Sequence, residues 1–417
     1  MKQNPNKVEL LSPAGSFEAL MAAIHAGCDA VYFGIEQLNM RARSTYNFEL
    51  TDIEKITAIA REHGIKTYIT LNTVMYDHDM QLMHQIVDTA KLHGVNAVIA
   101  SDHAVMHYAH KVGMTVHVST QASISNIDTV EFYSVFADTM VLARELTLSQ
   151  VEHIAHEIQR RNICGPSCEL VKLEVFAHGA LCMAVSGKCY LSLHSHYASA
   201  NRGACIQNCR HSYIVTDKED GTELEVDNEY IMSAKDLCTI GFLDQVINAG
   251  VRVLKIEGRG RAADYVHTTT QCYREAIDAC NERTYTAARV EEWTRRLEQV
   301  YNRGFWDGYY LGRKMGEWSD TYGSKAKLKK IYLAKTVHFF PKAGVGEFVM
   351  ESLSLQQGDR LMITGTTTGY VELDADELRK VDLVVDKVQK GDSFTLKVPG
   401  TIRAGDKLYK VVDSDAL

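Results

Sequence analysis

The sequence predicts an α/β fold: a (β/α)8 barrel of TIM type, with a cysteine-bearing insertion after strand seven and a small C-terminal all-β domain. Three observations carry this expectation. Short apolar runs rich in β-branched residues alternate with helical patterns as far as residue 280, as expected of parallel strands joined by helices. Residues 178–252 form an oversized gap before the eighth run, where a single helix needs far less chain. From Ile331 the pattern changes to alternation with Gly-Asp turns at Gly358, Gly391 and Gly405, which reads as a compact β domain.

Strands are expected at 8–11, 30–34, 66–71, 97–100, 115–119, 139–142, 173–177 and 253–256. Between them, segments such as SFEALMAAIHAG and DIEKITAIAREHG are apolar at helical spacing and close on glycine. Eight strand–helix units suit a closed barrel, with a doubly wound sheet as the alternative. The gap after strand seven holds four cysteines, the stretch DKEDGTELEVDNEY, which reads as a small hairpin, and the segment 231–242. An insertion there lands on the C-terminal face, where barrel enzymes keep their chemistry. Helices are expected at 261–281 and 290–301, followed by an aromatic, glycine-rich linker, YNRGFWDGYYLGRKMGEW. The domains expected are therefore 1–325, a barrel with an insertion at about 178–242, and 326–417, a β-barrel-like domain.

The 417 residues are 46% hydrophobic and 24% charged, an ordinary globular composition. No run of about 18 apolar residues is present, and the polar start MKQNPNKVELL has no signal-peptide core, so a cytoplasmic protein with no membrane partner is expected. The net charge of −8 argues against indiscriminate coating of nucleic acid. Local basic faces remain open: Lys325, Lys327, Lys329 and Lys330 form one cluster, and Arg202, Arg210, Arg259 and Arg261 lie near the cysteines and strand eight. A solvated surface is the plain alternative for each.

Cys182, Cys189, Cys205 and Cys209 follow one another at steps of seven, sixteen and four residues. In a reducing compartment, thiolates this crowded suit a metal or an iron–sulfur cluster better than disulfides. Structural zinc usually takes short C-x2–4-C knuckles, which only Cys205 and Cys209 approach. The wider loop from Cys182 to Cys189, with Gly179, Gly187 and Gly203 where the chain must bend past an inorganic core, suits a cubane. Residue chemistry alone leaves cluster, zinc and unliganded thiols open, in that order. Cys238 in SAKDLC is the challenger for the fourth position. Cys28, Cys272 and Cys280 read as core, and Cys164 and Cys168 as loop residues.

Glu174, Phe176, Gly179, Ala180, Cys182, Gly187, Cys189 and Ser192 match E-x-F-x-x-G-[SA]-x-C-x4-G-x-C-x-x-S, and NRGACxxxCR follows. This pattern resembles the signature of the collagenase-like "unassigned peptidase" family, which includes RNA-hydroxylating and anaerobic ubiquinone-hydroxylating proteins. The resemblance implies a barrel and a 4Fe-4S cluster on Cys182, Cys189, Cys205 and Cys209, and it raises the cluster well above zinc. The whole chain looks like the tRNA-hydroxylation branch of the family. That branch implies conversion of the wobble uridine in a tRNA anticodon loop to 5-hydroxyuridine, without molecular oxygen and dependent on prephenate. An oligomer, of like chains or with a family paralogue, is a further expectation.

Residues at strand C-termini should line one pocket. Ser12, Asn72, Asp102, Gln121, Arg144, Glu145, Glu174, His178, Lys255, Glu257 and Arg259 occupy such positions, and Arg41 and Arg43 lie after strand two. Glu174, His178, Lys255 and Glu257 are the candidate catalytic groups. Arg41, Arg43, Asn72, Gln121, Arg144, Glu145 and Arg259 are the candidate binding groups. So many guanidinium groups suit an anionic ligand, a small dicarboxylate or a phosphate. Internal pairing of Lys255 with Glu257, or of Arg144 with Glu145, is the bland alternative, as is a structural role for His178. Phe305, Trp306, Tyr309 and Tyr310 are either stacking surfaces for bases or core.

Proteolytic chemistry is hard to find. His153, His156 and Glu157 have the wrong order and spacing for either zincin arrangement, and no G-x-S-x-G elbow exists. Cysteines held by a cluster leave no obvious nucleophile. RNA hydroxylation is thus the first expectation, with a collagenase-like peptidase and a non-catalytic cluster scaffold as alternatives.

Overall fold

The computed structural model describes residues 7–42, 47–214, 216–223, 232–312, 316–321, 323–381 and 383–414. Ten strands build the first unit: β1 (Glu9–Pro13), β2 (Ala30–Phe33), β3 (Lys66–Leu71), β4 (Ala97–Ala100), β5 (Val116–Val118), β6 (Thr139–Val141), β7 (Lys172–Ala180), β8 (Asp236–Cys238), β9 (Val253–Ile256) and β10 (Phe305–Trp306). β1 to β7 pair in parallel in sequence order, and β9 pairs in parallel with both β7 and β1. These eight strands therefore close a TIM-type barrel, each followed in the chain by a helix. All eight sit where the apolar runs predict them, because strands buried on both faces read as nearly continuous apolar stretches.

Two apolar layers result. Leu10, Val31, Phe33, Ile69, Val98 and Leu254 face the surrounding helices, while Leu11, Tyr32, Tyr68, Ile99 and Val253 form a separate cluster inside the barrel. Helix starts follow local chemistry: the Ser16 hydroxyl accepts from the Ala19 amide, and Thr147 with Gln150 forms a capping box. No helix among the described residues is long and apolar enough to cross a membrane.

β7 departs from regular geometry. Its register against β9 shifts between Phe176 and His178, leaving Ala177 as an extra residue. The Ala177 carbonyl turns out of the ladder and accepts from the Thr239 amide (3.0 Å), the Thr239 hydroxyl (3.0 Å) and the Tyr273 hydroxyl (2.8 Å). Beyond this bulge β7 continues past the barrel and pairs antiparallel with β8, which in turn pairs with β10. The cysteine-bearing excursion starts from this extension.

The C-terminal unit is an antiparallel sheet whose strands include Leu328–Phe340, Val345–Met350, Arg360–Gly365, Ser393–Lys397 and Lys407–Asp413. Phe348 and Phe394 stack at 5.4 Å in its own core. The Gly-Asp turns share one device: Asp359, Asp392 and Asp406 accept the backbone amides of Gln356, Gln389 and Arg403, each at 2.8 Å. The sheet packs on the first helix, where a Cβ on Gly369 would lie 2.8 Å from the Ala22 amide nitrogen. The lysine cluster is absorbed at this junction. Lys325, Lys327 and Lys330 pair with Asp320, Glu298 and Asp264, and Lys329 donates to the Ser414 carbonyl. The segment expected to link the units is also packed in: Trp306 and Tyr310 are buried, and Phe305 and Tyr309 pack against the barrel core. Those four aromatics are therefore core and not stacking surfaces. Of the hairpin stretch, residues 216–223 form a turn closed by a Thr216–Glu223 bridge, and 224–231 lie outside the described residues.

Candidate functional site

A cavity of about 1030 Å³ opens at the C-terminal mouth of the barrel, with all four cysteines of the excursion in its wall. The excursion is clamped down from several sides. The Val74 amide donates to the Asn201 carbonyl (3.1 Å), and Arg202 pairs with Asp79 while stacking on Tyr76 at 4.2 Å. Arg210 donates to the carbonyls of Leu181 and Ala234, each at 2.7 Å. Two glycines permit the close approach: a Cβ on Gly203 would lie 2.2 Å from the Asn39 carbonyl oxygen, and one on Gly187 would lie 2.5 Å from the Gln121 Oε1. Both have positive φ, at 78°.

Burial and the neighbouring thiols of Cys182, Cys205 and Cys189 push the Cys209 thiol above its ordinary value, against the opposing Arg210 guanidinium. The four sulfurs thus share one electrostatic neighbourhood and are not dispersed through the hydrophobic interior. Among the described residues, no group of three or more Cys, His, Asp or Glu is drawn together tightly enough for a single metal ion. Cys238 points elsewhere. Its sulfur receives the Tyr273 hydroxyl at 3.9 Å behind β7, and burial pushes its thiol up to about 11. Cys28 and Cys272 are buried, and Cys164 and Cys168 belong to the loop before β7.

The cavity wall is strongly cationic. Among the described residues it contains eight Lys and Arg side chains and a single carboxylate, Glu257. Arg41 pairs with Glu257 at 2.7 Å. Burial pushes the Glu257 carboxyl up, but Arg41, Arg261 and Arg144 outweigh it and hold the group at about 2. Arg259 donates to the Thr70 hydroxyl at 2.7 Å, and burial lowers it to about 10. Arg144 lies over the Phe176 ring at 4.0 Å and donates to the Ala180 carbonyl at 3.2 Å, while its buried Nε has no partner among the described residues. Asn72 and Gln121 also line the wall.

Beneath this wall sits a buried ion pair. Lys255 Nζ lies 2.8 Å from Glu174 Oε1 and 4.6 Å from the centre of the Tyr32 ring. Burial opposes ionisation of Glu174, but Lys255 and His117 outweigh it and hold the carboxyl below its ordinary value. Burial lowers Lys255 from its ordinary value, with Glu174 opposing. His117 Nδ1 approaches Glu174 Oε2 at 3.7 Å, and neither atom has a hydrogen-bond partner among the described residues. Lys255 reaches the cavity, whereas Glu174 supports it from below.

Other expected mouth residues lie elsewhere. The bulge at Ala177 turns His178 outward, among Tyr265, Tyr273 and Phe305, where burial drives its pKa down to about 3. It is therefore a neutral structural histidine and not a cavity acid–base group. Glu145 is exposed and outside the cavity, so it does not pair with Arg144 there. Asp102 caps the helix His103–Lys111, and Ser12 bonds Thr270 on the helix side of β1 at 2.9 Å. Arg43 lies outside the described residues. Sequence reasoning missed His117, although the alternation in Val116–Val118 places it opposite its apolar neighbours. It also missed Arg303, which pairs with Asp236 at 3.3 Å and joins the wall from the supposed linker.

Two outcomes are expected. Glu174→Gln leaves the Lys255 ammonium buried without its counter-ion, so denaturant unfolding should show a loss of about 3–5 kcal/mol. Adding Lys255→Met should recover most of that loss, and an additive double variant would count against the pairing. Because the Glu257 carboxyl is depressed, its stabilisation is complete above the ordinary carboxylate range and disappears as pH falls toward about 2. Arg41→Ala should remove up to about 3 kcal/mol of that acid-sensitive stability, seen as a flatter unfolding free energy between about pH 5 and 2.

Residues 15–320 match the family described as Peptidase family U32. The chain is 53% identical over 407 residues to a protein of Porphyromonas gingivalis named collagenase, covering 98% of each. It is 32% identical over 328 residues to a tRNA hydroxylation protein of Bacillus subtilis, covering 77% of this chain and 75% of that one. It is 33% identical over 324 residues to a 23S rRNA 5-hydroxycytidine synthase of Escherichia coli, covering 76% of this chain and 47% of that one. With a family match spanning most of its length and relatives above 30% identity, the chain belongs to peptidase family U32.

Proposed function

We propose that the protein hydroxylates RNA, converting the wobble uridine of a tRNA anticodon loop to 5-hydroxyuridine in the cytoplasm, with a 4Fe-4S cluster and prephenate and without molecular oxygen. The observation that carries the reading is the juxtaposition of four thiols with a cation-lined cavity large enough for a nucleotide. The relatives named for tRNA and rRNA hydroxylation support it.

Cys182, Cys189, Cys205 and Cys209 would hold the cluster. Their loops bend closely at Gly187 and Gly203, and no carboxylate is present between Glu174 and Asp217 to compete as a ligand. The spacing requirement of a single ion does not apply to a cubane, whose thiolates stand on the corners of a larger cage. When bound, the cluster supplies one-electron transfer next to the cavity. Replacing hydrogen by hydroxyl at carbon 5 of uridine, with water as the oxygen donor, would release two electrons and two protons, so a redox group beside the base suits the chemistry as a relay to an external electron acceptor.

The chain's own residues bind and orient. Arg144 and Arg259 offer guanidinium forks to a dicarboxylate such as prephenate, and Arg144 keeps a buried Nε without a partner among the described residues. Lys255, fixed by Glu174, presents an ammonium at the cavity floor. Glu257 stays ionised at neutral pH and holds Arg41 over the opening. A uridine splayed from its loop would enter between these groups and the thiols.

The relative named collagenase favours a second reading, proteolysis. Among the described residues, however, no thiol of the excursion is hydrogen-bonded to a histidine, as an activated cysteine nucleophile requires. A scaffold reading fits poorly with a wall whose eight cations, among the described residues, are paired with only three carboxylates, Glu257, Glu174 and Asp236.

The test is nucleoside mass spectrometry of tRNA from a host strain lacking 5-hydroxyuridine, with and without this chain. Wild type should restore the nucleoside. Arg144→Ala should lower it about 10- to 100-fold, the loss expected for a charged hydrogen bond. No 5-hydroxyuridine from well-expressed, cluster-loaded protein would overturn the reading, and gelatin hydrolysis by the same preparation would favour proteolysis.

A further inference from the structure

We infer that the outer rim of the cysteine excursion, centred on Tyr190 and Tyr197, is a stacking platform for single-stranded nucleotides flanking the base that enters the cavity. The inference rests on the RNA reading above and assigns it a binding surface.

Soluble chains rarely gather exposed apolar side chains in one place without a partner. Here Met183, Val185, Tyr190, Leu193, Tyr197 and Ile214 are all exposed within a single stretch. Tyr190 is 70% exposed and Tyr197 is 94% exposed. The His194 ring stacks near Tyr190 at 5.9 Å and 29°, which extends the flat surface. Part of this stretch reaches the cavity, because Met183 and Tyr190, with Lys188 and His194, also line its wall.

The backbone at Tyr197 is the second observation. It ends the helix Leu191–His196 in the left-handed region, with φ at 52°. For a bulky side chain that conformation is uncommon and strained. Burial does not offset the strain, since the ring stands almost wholly in solvent. The conformation leaves the ring in solvent, in the short stretch of chain between His194 and Ala200, which both line the cavity.

Charge selects the partner. No Asp or Glu occurs between Glu174 and Asp217, although the chain carries 53 acidic residues and a net charge of −8. Among the described residues neither Lys188 nor Arg210 is ion-paired: Lys188 donates to the Ser123 hydroxyl, and Arg210 donates to a hydroxyl and two carbonyl oxygens, with the Asp236 carboxylate acting on it only at longer range. Aromatic faces interleaved with cations that form no ion pair of their own suit a chain of bases and phosphates, since bases stack and phosphates pair. An uncharged collagen-like peptide would use the rings but gain nothing from the cations.

The test is fluorescence anisotropy of anaerobically purified full-length protein with a labelled anticodon stem-loop RNA. Tyr190→Ala and Tyr197→Gly should each weaken binding about 5- to 150-fold, the range for loss of one base–aromatic stack. Glycine suits the left-handed position, so the second variant removes the ring without a folding penalty. Tyr190→Phe should bind like wild type, as should Phe132→Ala, an exposed aromatic outside the excursion. Lys188→Ala should lower the salt dependence by about one phosphate contact. Wild-type affinity in both ring-deletion variants would overturn the platform while leaving hydroxylation intact. Gelatin binding that falls in these variants while RNA binding does not would assign the rim to a peptide. Absence of any RNA binding together with absence of 5-hydroxyuridine would remove the underlying reading as well.

Discussion

The site depends on one extra residue in one strand. At Ala177, β7 slips by one position against β9, and its carbonyl is captured by Thr239 and Tyr273 instead of the ladder. Before the slip, Glu174 and Phe176 point into the barrel, where they fix Lys255 and carry Arg144. After it, the strand leaves the barrel, turns His178 outward and pairs with β8. Bulges re-aim side chains in this way at barrel rims. The floor of the cavity and the launch of the cysteine excursion are thus set by the same backbone irregularity.

Above that floor, electrostatics and close packing act together. The wall gathers cations in a chain that is acidic overall. Such a concentration of like charge carries a desolvation and repulsion cost, and most of these groups are steadied by individual contacts. Arg41 has Glu257, Arg303 has Asp236, Lys255 has Glu174, and Arg144 and Arg261 lie over aromatic rings at 4.0 and 3.4 Å. The imbalance that remains is what an anionic ligand would relieve. The excursion is pressed onto this wall through Gly187 and Gly203, so the thiols and the cations are held as one surface.

The barrel was legible because its strands are buried on both faces and its helices carry caps that reflect local chemistry. The position of the cysteine excursion was legible for the same reason, since a long insertion after a barrel strand emerges at one end. Period-two reasoning failed at His178 because a bulge has no signature in a single sequence. Glu145 and Asp102 were misplaced for a related reason: residues just past a strand end turn with the loop, one into solvent and one into a helix cap. Arg303 was invisible because it reaches the cavity from a segment far along the chain. Lys255 was legible in position but not in partner. Its carboxylate is Glu174 on the neighbouring strand and not Glu257 two residues away, which is taken by Arg41.

The four sulfurs at the mouth of this cationic barrel are proposed to hold one iron–sulfur cluster. Iron and acid-labile sulfide analysis of anaerobically purified protein, repeated for serine replacements at Cys182, Cys189, Cys205 and Cys209, tests it most directly. The account predicts about four iron and four sulfide per chain, with marked loss in each of the four variants and no loss in Cys238→Ser. One zinc per chain without sulfide, or full iron content in the four serine variants, would contradict it.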